Sequence, residues 1–345
     1  MCRRTLVNNI IDNSPQGRRP VNGLRSGARA LLRQDFTGVL IATVVLVLVV
    51  GARDATFLEF GQLSQVLNQA AVVGVLACAM AYLLAMRELD LSVGSVLGLS
   101  ALCGALLICA GLHPWLAAVS CVAAGALLGL VNGVLVDLLR LPSIVATLAT
   151  LSTYRGLTHR LSEGKQVLGA ALTDPFSRFF GWKLLGLGMN FWALAIVVAV
   201  LAVTLRNTPF GYRIRSIGSN PEAARFSGIP IRGVRLQVFV LAGVMGGIAG
   251  ALTLGYFGVA DPNAGSGYEL QAIAAAVIGG TPLHGGRACV MGAALGAVPL
   301  EVVRTALAYF RIDINWNDFT TGAVILLAVG FASLLRRRSD ARTPT

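Results

Sequence analysis

The feature that most restricts this chain is a series of apolar stretches, nearly all long enough to cross a membrane. They fall at about 36–51, 63–86, 91–111, 115–139, 142–158, 189–206, 234–257, 269–283, 288–309 and 318–335. About 20 apolar residues suffice to cross a hydrocarbon core as a helix. Charged residues are only 13 % of the chain and hydrophobic ones 55 %, whereas a soluble domain carries about 25 % charged residues. Such a chain cannot cover a water-facing surface, so soluble enzymes and disordered proteins are excluded. The expected fold is all-α, a polytopic transmembrane helix bundle of about ten spans that includes short or broken helices. The stretches 142–158 and 269–283 are short and carry polar residues, and are expected to be re-entrant or broken. Gly279, Gly280 and Pro282 make the second the stronger case, because irregular backbone at membrane depth is tolerated where protein covers it.

Glycine is abundant, 40 of 345 residues, and it recurs at a spacing of four: Gly94/Gly98, Gly125/Gly129/Gly133, Gly243/Gly247, Gly246/Gly250 and Gly292/Gly296. Small residues on one helix face let backbones approach closely in a membrane. Five such sets predict a tightly packed bundle.

The net charge of +12 would suggest nucleic acid in a soluble protein. Its distribution argues otherwise. The segments 1–35, 206–235 and 336–345 hold 17 basic and four acidic residues, a net +13, and the rest of the chain carries −1. An even number of apolar stretches separates each segment from the next, six and then four. The positive-inside rule places all three in the cytoplasm. The organisation expected is a basic, disordered cytoplasmic tail at 1–35, a transmembrane domain at 36–335 with a cytoplasmic loop at 206–235, and a basic cytoplasmic tail at 336–345. No nucleic-acid partner is expected, and the partner along the flanks is membrane lipid.

No nucleotide-binding loop is present. The two lysines, Lys165 and Lys183, are followed by Gln166 and Leu184, not by the hydroxyl residue that such a loop needs. There is no nucleophile elbow and no metal-binding helix motif. The six cysteines form no C-x-x-C pair and the three histidines are scattered. Catalysis, a metal and a cofactor are not expected. Ionisable residues within the apolar stretches are few, chiefly Asp137, Glu301 and Arg304, which argues against an ion-coupled carrier.

Three segments stand out. Glu88-Leu89-Asp90-Leu91-Ser92-Val93-Gly94-Ser95 reads either as a capped helix start or as a polar break lining a transport path. In the basic loop, Asn220-Pro221-Glu222 supplies a cap, a first-turn proline and a first-turn acid, and Gly228 a stop. A helix of about two turns, Pro221–Ser227, is predicted there. Gly265–Arg287 is rich in small residues and interrupted by glycine, and reads either as a closely packed helix–turn–helix or as a gate or path-lining segment.

Together these segments resemble the permease subunits of bacterial ABC importers for ribose, xylose, galactose and rhamnose. Those permeases carry a G-x-D-L-S-V-G-S element, an N-x-E-A-A-R-x-S-G-I loop and a G-Y-E-L-x-A-I-A-A-x-V-I-G-G-T-x-L-x-G-G-R-G element. Here they read Glu88–Ser95, Asn220–Ile229 and Gly267–Ala288. Val131-Asn132-Gly133-Val134 and Leu141–Thr150 also fit, and the likeness runs from about 40 to 335 in the same order. The departures are Glu88 and Ala288, where glycine is usual, and His284, where a small residue is common.

The resemblance implies an ATP-driven importer in the bacterial inner membrane, in which this chain moves a monosaccharide and does not hydrolyse ATP itself. Implied partners are a cytoplasmic ABC ATPase, a periplasmic sugar-binding protein and a second permease copy or paralogue. It further implies that Gly218, Asn220, Pro221, Glu222, Ala223, Ala224, Arg225, Ser227 and Gly228 form the element coupled to the ATPase. Asp90, Ser92, Ser95, Asn132 and Glu269 are the candidates for the substrate pathway. The alternative is a related ABC permease for branched-chain amino acids, nucleosides or autoinducer-2.

Overall fold

The structure, a computed structural model, describes residues 37–170 and 174–313, with positions 316, 319, 320, 322, 323 and 326 beyond them. The two expected tails lie outside the described residues, as does nearly all of the run at 318–335. The described residues form twelve α-helices: α1 (Thr37–Arg53), α2 (Phe60–Ala85), α3 (Val93–Cys109), α4 (Pro114–Leu138), α5 (Ser143–Ser162), α6 (Pro175–Gly181), α7 (Met189–Asn207), α8 (Pro209–Ser219), α9 (Pro221–Phe226), α10 (Ile231–Phe257), α11 (Tyr268–Ile278) and α12 (Val290–Tyr309). A 3-10 turn, Ala55–Leu58, joins α1 to α2. The strands are two-residue pieces: β1 (Val167–Leu168) pairs antiparallel with β4 (Val259–Ala260), and β2 (Lys183–Leu184) with β3 (Leu187–Gly188).

Five helices, α2, α4, α7, α10 and α12, are long and apolar enough to cross a membrane. The chain is a multi-pass helical membrane protein. α2 is the axis of the bundle. Every residue from Ala70 to Ala85 is buried, and α7, α10, α11 and α12 all pack on it.

The recurrent glycines meet one another. A Cβ on Gly125 would overlap the carbonyl oxygen of Gly243, one on Gly129 that of Phe239, and one on Gly243 that of Gly125. The α4–α10 contact is therefore backbone against backbone along both helices. Gly246 and Gly250 face α3, and Gly292 and Gly296 press on the carbonyls of Gly279 and Ala275. Gly94 and Gly98 take the chain at Gly265 and Ala264.

Two expectations about broken spans fare differently. The stretch 142–158 is an uninterrupted helix, α5, and runs on to Ser162. Its hydroxyls make this possible. Thr147, Thr153 and Thr158 each donate to the carbonyl four residues back, so they satisfy themselves inside the helix. The stretch 269–283 does break. α11 has 11 residues and stops at Gly279, and Gly280 takes φ +95°. At 1.5 Å per residue it is about 17 Å long, too short to cross a hydrocarbon core.

Candidate functional site

The ends of the bundle differ in chemistry. At one end α8 and α9 connect α7 to α10. The Asn220 side chain caps α9 by accepting from Ala223 N at 3.0 Å, with Pro221 in the first turn. Ser227 closes the helix by donating to Ala223 O, and Gly228 follows at φ +76°. Ala224 is buried, while Phe226 is 92 % exposed. Pro221, Glu222, Ala223 and Arg225 are exposed. A six-residue helix so capped is a short rigid knob with an aromatic tip.

α8 was not apparent from the sequence, where 206–235 reads as a loop with a single short helix. Its signals are present: Thr208 caps Gly211 N at 3.4 Å, Pro209 opens the first turn, and Ile214 and Ile217 are buried one turn apart. Gly218 ends it against α2, where a Cβ would overlap the Ala85 carbonyl oxygen.

The α2–α3 turn grips the α8–α10 segment on both sides of α9. Ahead of α9, Arg87 donates through Nε to Gly218 O at 2.7 Å and through Nη2 to Ser219 O at 2.9 Å. After it, Arg235 of α10 reaches the next residue of the turn. Its Nε stands 2.7 Å from Glu88 Oε1, an ion pair without hydrogen-bond alignment, and its Nη1 donates to Asp137 Oδ1 of α4 at 2.9 Å. Glu88, where the similar permeases have glycine, thus has a specific partner here.

The same turn continues into the bundle. Leu89 N donates to Ser143 Oγ and Leu91 N to Thr147 Oγ1, both on α5. Asp90 Oδ1 accepts from Ser92 N at 2.8 Å and Ser92 Oγ at 2.7 Å. Asn132 of α4 donates to Asp90 Oδ2 at 3.2 Å and to Ser92 Oγ at 2.7 Å, and Tyr154 of α5 donates to Asn132 Oδ1 at 3.0 Å. Ser95 donates to Ser92 O. The sequence-selected residues Asp90, Ser92, Ser95 and Asn132 are thus brought together, all fully buried, in a network that satisfies itself. Glu269 lies apart on α11, against Gly94, and its Oε2 has no hydrogen-bond partner.

The other end holds a cavity of about 830 Å³. It is walled by the starts of α2 and α7, the ends of α10 and α12, and the loop between β4 and α11. α7 and α10 run from this end to the α8–α9 end, so cavity and knob lie at opposite ends of the same helices. Asp90, Ser92, Ser95, Asn132 and Glu269 do not line it. Among the polar residues that do, these went unremarked in the sequence as a set: Gln62, Gln65 and Gln69 on α2, Asn190 on α7, and Glu301 and Arg304 on α12. The missed signal is periodic. Polar side chains at 62, 65 and 69, and at 301, 304 and 305, repeat on one helix face in otherwise apolar helices. Among the described residues no group of His, Cys, Asp and Glu is placed to hold a metal.

Comparison with known proteins adds the family. Residues 62–329 match the family described as the branched-chain amino acid transport system / permease component. The chain is 36 % identical over 297 residues to the Autoinducer 2 import system permease protein LsrC of Escherichia coli (strain K12 / DH10B), covering 86 % of each. It is 34 % identical over 304 residues to the Ribose import permease protein RbsC of Bacillus subtilis (strain 168), covering 88 % of this chain and 93 % of that one. A family match across most of the described bundle, with relatives aligned almost end to end, leaves one assignment: the chain belongs to the branched-chain amino acid transport system / permease component family.

Proposed function

We propose that this chain is the membrane subunit of an ATP-driven importer that takes a monosaccharide from a periplasmic binding protein and releases it into the cytoplasm. The observation that carries the reading is α9, a capped and exposed knob at the basic end of the bundle, opposite a polar cavity. The relatives named for ribose and autoinducer-2 import support it. In this reading the chain sits in the inner membrane with about ten spans, and the basic segments, both tails included, are cytoplasmic. A partner ATPase hydrolyses the nucleotide, and a second copy or paralogue completes the membrane part. The relatives named for autoinducer-2 keep that signal as the second substrate reading.

Gly218 to Gly228 form the coupling element. Asn220 and Pro221 fix the start of α9, Gly228 its end, and Glu222, Ala223 and Arg225 its outer faces. Phe226 is the anchor, since a fully exposed aromatic beside arginines suits a pocket with an acidic rim. Movement of α9 is passed on through Arg87 and Arg235 to the α2–α3 turn, and through Asp90, Ser92 and Asn132 to α4 and α5. These buried residues transmit and position, and Ser95 and Glu269 hold the start of α3 beside the cavity loop.

The test is Glu222→Arg in the reconstituted complex. It reverses the first-turn charge of α9, where a helix N-terminus favours an acid. Membrane insertion should be normal, with sugar uptake at least tenfold lower. Wild-type uptake with normal dependence on ATP would refute the coupling assignment.

A further inference from the structure

The loop 261–267, between β4 and α11, forms one wall of the 830 Å³ cavity. It is tied at its first residue, where Gln166 Nε2 donates to Asp261 Oδ2 at 2.7 Å beside the β1–β4 pairing. Among the described residues, one side chain from another element holds its middle. Arg155 of α5 donates through Nη1 to Pro262 O at 3.0 Å and to Ala264 O at 2.7 Å. The other hydrogen bonds of 262–266 run within the loop or to the first residue of α11. The loop lies against α3, where a Cβ on Gly94 would overlap the Gly265 carbonyl oxygen and one on Gly98 would stand 2.9 Å from Ala264 O. An ionisable side chain inside a membrane bundle is costly and marks a functional position.

Arg155 has a second partner within reach. Glu269, in the first turn of α11, keeps Oε2 buried without a hydrogen bond, and a Cβ on Gly94 would meet that oxygen at 2.5 Å. A Cβ on Gly98 would meet Arg155 Nη1 at 3.3 Å. Gly94 and Gly98 are one turn apart on one face of α3, about 6 Å. The carboxylate and the guanidinium therefore sit on successive turns of the same face, and no ion pair joins them. A guanidinium has five N–H donors, and here a single nitrogen serves both loop carbonyls. A carboxylate accepts the planar fork through two parallel bonds, and such a pair is stronger than a bond to a neutral carbonyl. A buried charged group left unpaired costs more than a neutral one. Two arrangements thus compete for one side chain. In the first, Arg155 holds the loop and Glu269 Oε2 goes unpaired. In the second, Arg155 pairs with Glu269, and the two carbonyls turn to the water that reaches the exposed Asn263 and Ser266.

We propose that Arg155 is the latch of an outward gate. It holds the loop 261–267 closed between the cavity and α3, and Glu269 is the alternative seat that draws it off and frees the loop during transport. Arg155 is a positioning residue, and its action does not depend on which substrate passes. This rests on the importer reading above and adds to it a moving part and the pair that sets its position.

The experiment uses the full permease with its ATPase and binding protein in nanodiscs. Hydrogen–deuterium exchange of peptides covering 258–268 is followed without nucleotide and during ATP turnover. ATP-dependent uptake of radiolabelled D-ribose, D-xylose, D-galactose and L-rhamnose is measured alongside in proteoliposomes. The amides of Ala264 and Ser266, bonded inside the loop to Asp261 O and Asn263 O, report its opening. In the wild type their exchange should quicken at least threefold during turnover. Arg155→Met should exchange at least tenfold faster than wild type without nucleotide. Glu269→Gln removes the charged seat. It should exchange no faster than wild type without nucleotide and should lose the acceleration during turnover, with uptake at least fivefold lower. Arg155→Lys keeps the charge but falls short of the carbonyls, and should shift exchange in the same direction if Arg155→Met fails to insert. Wild-type exchange in the Arg155 variants overturns the latch. Retained acceleration in Glu269→Gln overturns the second seat, and an unchanged wild-type loop during turnover overturns the gate. Faster exchange in both Arg155→Met and Glu269→Gln also overturns the switch, because it marks two residues that merely support the loop. No ATP-dependent uptake of any of the four sugars by the wild type overturns the importer reading itself, and the comparison without nucleotide still decides the latch.

Discussion

Gly233 and Gly243 lie on the same helix, α10, and alanine should act on them with opposite signs. At Gly233 nothing lies within 4 Å of the new Cβ, and removing a helical glycine gains about 0.5–1 kcal/mol. At Gly243 the methyl overlaps the carbonyl oxygen of Gly125 and stands 2.8 Å from both N and Cα of Gly129. Carbon atoms need about 3.5–4.0 Å. The obstacle is backbone on a long helix, so no rotamer relieves it, and the axes must part by about 1 Å. A gap of 0.5–1 Å forfeits a quarter to a half of each dispersion contact along the seam. Overpacking of this kind costs about 1–3 kcal/mol. After the propensity gain is subtracted, Gly243→Ala should destabilise by about 2.5 kcal/mol at most. The assay is thermal unfolding of the purified permease in detergent, where 1 kcal/mol corresponds to about 2–4 °C for a chain approaching this size. Gly243→Ala should lower the midpoint by several degrees, and Gly233→Ala should raise it slightly. Adding Gly125→Ala to Gly243→Ala should cost less than Gly125→Ala alone, since the helices have already separated. Equal shifts at Gly233 and Gly243 would refute the close-approach reasoning.

Three further outcomes follow from the α9 end. Asn220→Ala removes the cap that accepts from Ala223 N and should cost about 1 kcal/mol of helix stability, lowering uptake severalfold. Asn220→Asp keeps the acceptor and should transport normally, so equal defects in both would count against a capping role. Arg235→Ala leaves Glu88 and Asp137 without their shared cation. With these side chains 13–28 % exposed, the cost should be about 1–3 kcal/mol, toward or below the low end of that for breaking a buried pair. Adding Glu88→Gly should recover part of it in the same thermal assay, and no recovery would mean that the pair is not what Arg235 serves. Phe226→Ala removes a side chain that is 92 % exposed, so permease stability should change by less than about 0.5 kcal/mol. Co-purification of the ATPase should nevertheless fall, and retention of the complex at wild-type level would exclude Phe226 as an anchor.

What could be read from the sequence was periodic or local. The apolar runs announced the helices, Asn220-Pro221-Glu222 announced α9, and the glycine spacing announced the α4–α10 seam. Pairings between distant segments were not legible. That Arg87 reaches Gly218 and that Arg235 joins Glu88 to Asp137 depends on where five helices end in space. The hydroxyls of α5 misled because their polarity was counted without their internal hydrogen bonds. The Asp90 element was visible as polar, but its inward network with Asn132 and Tyr154 is a tertiary fact. The cavity was hidden for the same reason, since its α2 wall lies more than a hundred residues from those of α7, α10 and α12.

The burial of α2 has a consequence for how the protein is made. It is the second of the described helices to leave the ribosome, yet the neighbours that enclose it, α7, α10, α11 and α12, follow at least a hundred residues later. During synthesis α2 therefore waits in lipid or against the insertion machinery, and only assembly of the later helices covers it. Its sequence tolerates both settings. The stretch that ends up enclosed, Ala70–Ala85, carries no charge and its one hydroxyl is Tyr82, while Gln62, Gln65 and Gln69 lie nearer the start of the helix. Truncation ahead of α7 would leave a helix that is inserted yet uncovered, a ready target for membrane quality control.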